Sequence, residues 1–208
     1  MSLELKKRII TSIFLIIGLF LMLINNYFLI MSLLLIFVLT FLEFSSMTNK
    51  IFYTKKFIQF ITNCLFLIYT FFFSIIFYLL LLQQGTRIFI ILFLLLCMSS
   101  DIGGLIIGKI FKGRKLTKIS PNKTISGSLG SFLFSLLTAT AVVFYFGVLD
   151  WFKFVVIALF VSTGCQLGDI FFSYLKRKAK IKDTGRILPG HGGLLDRFDG
   201  ILFGIPFG

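Results

Sequence analysis

Long unbroken apolar runs constrain this chain more than any other feature. Stretches rich in Leu, Ile, Phe and Val cover about Ile9–Ile24, Tyr27–Leu42, Phe57–Leu82, the region from Ile88 onward, Leu129–Leu149 and Phe152–Phe172. A helix on a water-soluble protein shows its apolar residues as a stripe, with polar residues opposite. Here almost no polar face remains, so the solvent these segments match is a bilayer. The first two runs each hold roughly 16 residues, near the lower limit for crossing a ~30 Å hydrocarbon core at ~1.5 Å per residue. Composition agrees: 58% of the 208 residues are hydrophobic and 29 are Phe.

The expected fold is therefore all-α, a polytopic integral membrane protein with about six transmembrane helices and polar loops. Asn25-Asn26 separates the first two runs, which read as a helical hairpin followed by a polar loop from Glu43 to Lys56. Gln83 to Arg87 is a short loop. The fourth span is expected to break at Ser99–Gly104 (SSDIGG) and to resume as LIIGKIF. A basic segment, Lys109 to Ser128, precedes the fifth span, and Asp150 marks a turn before the sixth. The tail from Ile201 to Gly208 reaches only ~12 Å as a helix and is too short to span. The N-terminal MSLELKKRII resembles a signal-peptide start, but no small-residue cleavage site follows, so a retained first span is expected. No internal repeat, linker or second domain is visible, and residues 1–208 read as a single membrane domain.

The net charge of +13 could suggest nucleic acid. The distribution of the basic residues argues against it, because they sit in loops flanking oily segments. With the N-terminus in the cytoplasm and the spans alternating, 19 of the 21 Lys and Arg fall on the cytoplasmic side, leaving only Arg87 and Lys153 outside. Both polar motifs described below then face the cytoplasm. The three cysteines, Cys64, Cys97 and Cys165, lie inside apolar runs with no CxxC, and read as small buried hydrophobes. One histidine and no cysteine cluster argue against zinc.

Polar chemistry concentrates late in the chain. Asp101 sits among small residues at the interruption of the fourth run, and a carboxylate at membrane depth is usually paired or functional. In the sixth run, Ser162, Gln166, Asp169, Ser173 and Lys176 are spaced four, three, four and three apart, which places all five on one helical stripe. Small and polar residues could form a helix–helix seam there. An Asp followed by Lys176-Arg177 points instead to a wet, anion-handling face. Asp196 and Asp199 follow Gly192-Gly193, three apart on one face of a helix start, with Arg197 between them. Carboxylates with phosphate oxygens and water are the usual ligands of Mg²⁺, whereas local capping and pairing with Arg197 is the alternative role. Upstream, Ser120, Lys123 and Thr124 lie in KGRKLTKISPNKTISGSLGS, a candidate phosphate cradle or an ordinary positive flank. It contains no GxxxxGK[ST]. His191, in PGHGG, could bind phosphate or act as an acid–base group.

The stretch from Ser173 to Asp199 resembles the signature of phosphatidate cytidylyltransferases, also called CDP-diacylglycerol synthases. The matching residues are Ser173, Leu175, Lys176, Arg177, Lys182, Asp183, Gly185, Leu188, Pro189, His191, Gly192, Gly193, Asp196, Arg197 and Asp199. Gly168-Asp169, the run Lys118, Ser120, Pro121, Lys123, Thr124, Gly127, and Asp101 with Gly103 are similar to the family too. The resemblance covers about half of the chain, Ser99 to Gly200, which makes 99–200 the expected catalytic region and 1–56 an N-terminal hairpin and loop. One position departs: Ser126 stands where the family usually has an acid.

The resemblance implies the reaction of CTP with phosphatidate, giving CDP-diacylglycerol and pyrophosphate with Mg²⁺ and a possible second cation. It implies a homodimer in the membrane, in a bacterium the inner membrane, with a cytoplasmic active site. Asp169 and Asp196 are then expected to bind metal, with Asp101 and Asp199 as further candidates. Lys176, Arg177 and Ser173 join them as catalytic residues, and Ser120, Lys123, Thr124, Lys182, His191 and Arg197 would bind substrate phosphates. A phosphate monoester is already a nucleophile at neutral pH, so no strong base is required. A related CTP-dependent lipid or isoprenoid transferase or kinase is the nearest alternative. A transporter with a midplane ion site is the alternative from another class, but the charges gather on one side and no inverted repeat is present.

Overall fold

The computed structural model describes residues 3–117, 120, 123–147, 150–185, 187–190 and 192–208. Seven α-helices account for most of them: α1 Leu3–Ile24, α2 Asn26–Ile51, α3 Lys56–Leu82, α4 Gln84–Phe111, α5 Ile125–Phe146, α6 Trp151–Lys178 and α7 Leu195–Phe207. Among the described residues the only β-structure is two isolated bridges, Lys115 with Thr124 and Leu188 with Gly192. The fold is all-α, and the chain is an integral membrane protein: α2, α3, α5, α6 and the Thr86–Phe111 part of α4 are long and apolar enough to cross a bilayer. The expected first span, Ile9–Ile24, is a shorter apolar helix.

Three boundaries differ from the sequence expectation. The fourth span is not broken at Ser99–Gly104, because α4 is continuous from Gln84 to Phe111. Its glycines serve close packing on α5 instead. A Cβ at Gly103 would collide with the Gly130 carbonyl and the Phe134 side chain, and one at Gly104 would collide with Ser131. Lipid tails are as apolar as Leu, so helices in a bilayer gain by backbone approach at small residues rather than by burying oil. The expected Glu43–Lys56 loop is mostly helix as well, since α2 runs on to Ile51. Its last turns pack on α3: the Phe44 and Phe66 rings stack with centroids 3.8 Å apart, and Thr48 Oγ1 donates to Asn63 Oδ1 at 2.7 Å. The short loop at Gln83–Arg87 shrinks likewise, because α4 starts at Gln84.

The expected hairpin break is present. Asn25 caps α2, its Oδ1 accepting from the amides of Tyr27 (2.9 Å) and Phe28 (3.3 Å). Arg87 ties helix ends together, with Nη1 donating to the Leu23 carbonyl and Nε to the Leu81 carbonyl, both at 3.0 Å. Carbonyls in the last turn of a helix have no partner of their own, so a guanidinium is well matched to them.

The chain divides into two compact units. One comprises Met1–Arg87 and Leu175–Arg197, the other Ile88–Tyr174 and Phe198–Gly208. The core of the second contains Leu96, Cys97, Ala139, Ala158, Val161 and Cys165. Of the three cysteines, Cys97 and Cys165 are buried, as expected, and Cys64 is only half-buried.

Candidate active site

The unit formed by residues 1–87 and 175–197 carries a cluster around Asp196. α6 ends at Lys178, and Lys180 takes a left-handed conformation with φ 57° that turns the chain out of the helix. The segment from Lys182 then leads to α7, whose first residue is Leu195. Leu188 and Gly192 exchange both backbone hydrogen bonds, at 3.0 and 3.1 Å, closing a tight turn with Gly190 at φ 80° and Gly192 at φ 86°. Such φ values carry little penalty only for glycine. Gly190 and Gly192 thus serve the backbone of this turn. His191 itself lies outside the described residues, as do Lys118 and Pro121.

Asp196 sits in the first turn of α7. Its Oδ1 is 2.7 Å from Lys176 Nζ, and its Oδ2 accepts from the backbone amides of Thr184 (2.8 Å) and Gly193 (3.1 Å). Burial by itself would raise the Asp196 carboxyl. The Lys176 hydrogen bond, the Thr184 amide, the Lys176 charge and the Gly193 amide outweigh it and hold the group below the ordinary carboxylate value.

Glu43 escaped the sequence analysis as a site residue. It is buried on α2, with Oε1 accepting from the Leu194 amide at 2.9 Å. Its Oε2 accepts from the Leu195 amide and from Thr184 Oγ1, both at 2.8 Å. Amides in the first turn of a helix lack intrahelical acceptors, and α7 obtains them from this carboxylate. Gly185 and Gly193 leave the room: a Cβ on either would run into Glu43. The only advance signal was an acidic residue at the end of an otherwise apolar run. Among the predicted contacts to phosphate, Lys182, Arg177 and Arg197 are exposed in this unit.

The other unit carries Asp169, paired with the Lys123 ammonium. Asp169 lies on α6, and Lys123 immediately precedes the cap of α5. Thr124 Oγ1 accepts from the Gly127 amide at 3.0 Å, so this hydroxyl caps a helix. The isolated bridge of Lys115 with Thr124 closes the chain before it, with Leu116 N donating to the Lys123 carbonyl at 2.8 Å and Ile125 N to the Arg114 carbonyl at 2.9 Å. Ser120 joins through its amide, which donates to Thr117 Oγ1 at 3.2 Å. Ser126 Oγ accepts from the Gly113 amide at 3.3 Å and bonds to Thr124 Oγ1 at 3.0 Å, holding Gly113 to the start of α5 without a charge.

The polar stripe on α6 exists as spaced, because the helix is unbroken through it. Ser162 bonds to Ser100 of α4 at 2.9 Å, Gln166 Nε2 donates to Ser162 Oγ at 3.3 Å, and Gln166 Oε1 accepts from Ser128 of α5. The upper part of the stripe is therefore a helix–helix seam, and the charged part begins at Asp169. Ser173 is half-buried on the same helix. Gly168 brings α7 close, since a Cβ there would strike the Asp199 carbonyl oxygen. Gly200 lies beside Asp169, with a built Cβ falling 3.3 Å from Asp169 Oδ1. Asp199 Oδ1 accepts from the Gly200 amide at 3.0 Å, and Asp101 is exposed on α4.

Among the described residues no three His, Cys, Asp or Glu side chains converge into a protein-only metal cage. The donors at hand are carboxylates, hard oxygen ligands that suit Mg²⁺. That ion is usually held by one or two carboxylates, with substrate phosphates and water completing the shell. Asp169, only partly buried, fits such a role. The Asp196 carboxylate carries three donors, one of them a cation, so a metal there would take the place of Lys176.

Comparison with known proteins bears on the same residues. A family model described as "Cytidylyltransferase family" matches residues 52–208. The chain is 45% identical over 111 residues to the phosphatidate cytidylyltransferase of Bacillus subtilis (strain 168), an alignment covering 52% of this chain and 41% of that protein. It is 40% identical over 134 residues to the phosphatidate cytidylyltransferase of Rickettsia typhi, covering 60% and 58%. With the protein of the same name from Staphylococcus saprophyticus it shares 38% identity over 127 residues, covering 60% and 48%. The chain spans about half the length of the curated relatives it matches.

Proposed function

The chain belongs to the cytidylyltransferase family, and we propose that it transfers the cytidylyl group of CTP to phosphatidate, forming CDP-diacylglycerol and pyrophosphate. The observation that carries this reading is the family match across the carboxylate and lysine pairs Asp169–Lys123 and Asp196–Lys176. A lipid phosphate must meet a soluble nucleotide at the membrane surface. Lysines attached to helices of membrane length, beside basic loops, suit that meeting.

In the proposed reaction a phosphatidate oxygen attacks the α-phosphorus of CTP in line. A new P–O bond forms, the bond to the β-phosphate oxygen breaks, and pyrophosphate leaves with the electron pair. Lys123 and Lys176 carry ammonium groups that can pass from carboxylate to phosphate, and Arg177, Lys182 and Arg197 are exposed cations able to join them. Ser120, Thr124 and Ser173 would contribute hydrogen bonds, and His191 a further phosphate contact. Mg²⁺, held at Asp169 and Asp196 with Asp101 and Asp199 as further candidates, would offset charge on the triphosphate and leaving group. A second cation, a homodimer and a bacterial inner-membrane location with N-terminus and site in the cytoplasm belong to the same proposal. The Lys and Arg distribution supports the orientation.

The test is direct. Purified protein in detergent receives labelled CTP, phosphatidate and Mg²⁺, with parallel reactions in chelator and with isoprenoid acceptors. Labelled CDP-lipid that depends on phosphatidate and disappears with chelator is expected. Absence of lipid product, or full activity after Asp196→Ala, would overturn the assignment, and product only with an isoprenoid acceptor would move it to another substrate.

A further inference from the structure

We propose that Glu43 is a positioning residue: from α2 it anchors Thr184, Leu194 and Leu195, the two ends of one segment, so that Asp196 and Lys176 keep the geometry in which they serve the reaction. The catalytic consequence rests on the transferase reading above; the anchoring does not. Glu43 is 5% exposed, and Thr184 Oγ1 and the amides of Leu194 and Leu195 all donate to it. Thr184 also donates its backbone amide to Asp196 Oδ2 at 2.8 Å. One residue thus gives its hydroxyl to Glu43 and its amide to Asp196. Leu195 is adjacent to Asp196, so a shift of the α7 start carries the carboxylate with it. Gly185 and Gly193 lie against Glu43 so closely that neither tolerates a Cβ there.

The carboxylate is specifically suited. Three donors need acceptors, and both oxygens of an ionised Glu supply them. Glu43→Gln keeps the volume but turns one oxygen into an N–H donor that faces another N–H or hydroxyl. Burying such an unmatched donor costs about 1–3 kcal/mol.

Amide hydrogen exchange on the full chain in detergent, with turnover measured in parallel, tests the proposal. In Glu43→Gln, exchange over 184–195 is expected to quicken about tenfold or more, the equivalent of one lost hydrogen bond to a charged group. Exchange in α3 should stay unchanged, and kcat should fall about tenfold or more, the usual effect of losing a partner that orients a ligand residue. Thr184→Ser should stay near wild type, while Thr184→Val should repeat part of the defect. Thr70→Val is the control. Thr70 is buried in the same unit, and among the described residues its hydroxyl bonds to carbonyls of its own helix, at Phe66 and Leu67. It should lower stability while leaving loop exchange and turnover in place. Wild-type exchange over 184–195 in Glu43→Gln, or equal loosening of α2 and α3, overturns the anchoring. A loosened segment with unchanged turnover overturns the positioning role. If the wild type makes no CDP-lipid, the transferase reading fails and the exchange data alone decide the anchoring.

Discussion

Lys176 Nζ lies 2.7 Å from Asp196 Oδ1, with the two side chains only 12% and 7% exposed. Twenty residues separate them in sequence, and the intervening turn folds back to pair the end of α6 with the start of α7. In water such a pair contributes little. Withdrawn from solvent, each charge needs the other, and removing one partner strands its mate.

Asp196→Ala should therefore cost both fold and activity. Loss of one partner of a buried pair is worth about 3–5 kcal/mol. A lower melting temperature in detergent and loss of CTP turnover are expected. Lys176→Met combined with Asp196→Ala should recover part of the stability and none of the activity. Equal melting of Asp196→Ala and wild type would contradict the buried pairing.

The same carboxylate sets an acid limit. Its pKa in the folded protein is lowered, so the unfolded chain binds the proton more tightly. The resulting stability is fully present above the unfolded value of about 3.9 and is lost as pH falls through the lower folded value. The melting-temperature difference between wild type and Asp196→Asn should be constant above about pH 5 and shrink below about pH 4. A difference that grows on acidification would reverse the sign of this assignment.

Lys123→Met should weaken use of CTP. The ammonium pairs with Asp169 and is the residue next to the α5 cap. A lost charge-assisted hydrogen bond of about 1.5–3 kcal/mol corresponds to roughly ten- to hundredfold in kcat/KM. Steady-state kinetics with CTP varied should place the effect there, with a smaller effect when phosphatidate is varied.

Two glycine substitutions should diverge. Gly168→Ala puts a methyl into the Asp199 carbonyl beside Asp169, and overpacking of this kind costs about 1–3 kcal/mol. Gly18→Ala meets nothing within 4 Å on α1 and should be neutral or stabilising by up to about 1 kcal/mol. Thermal melting distinguishes them, and only Gly168→Ala should also lower turnover.

Much of this was legible along the chain because it is local. Span positions follow from apolar runs that need no partner to be recognised. The stripe from Ser162 to Lys176 follows from helical periodicity, and the Asn25 cap from side-chain chemistry. The glycines at Gly103 and Gly104 misled for a related reason: their flexibility predicts a break, while their missing side chains equally permit close packing. Which use wins depends on whether another helix arrives, and here α5 does, through Gly130 and Ser131. Ser126, a departure from the family's acid, proves to hold Gly113 and Thr124 by neutral hydrogen bonds.

The sequence by itself determined that this chain belongs in a membrane and roughly where most of its helices run, and it singled out candidate carboxylates and lysines. Tertiary structure alone decided the pairings: Lys123 with Asp169, Lys176 with Asp196, and Glu43 with amides 151 and 152 positions away. The physical reason is one of range. Helix formation and partition into lipid depend on neighbours within a turn or a span. A buried carboxylate instead takes whichever donors the fold delivers to it, and no local pattern records which those are.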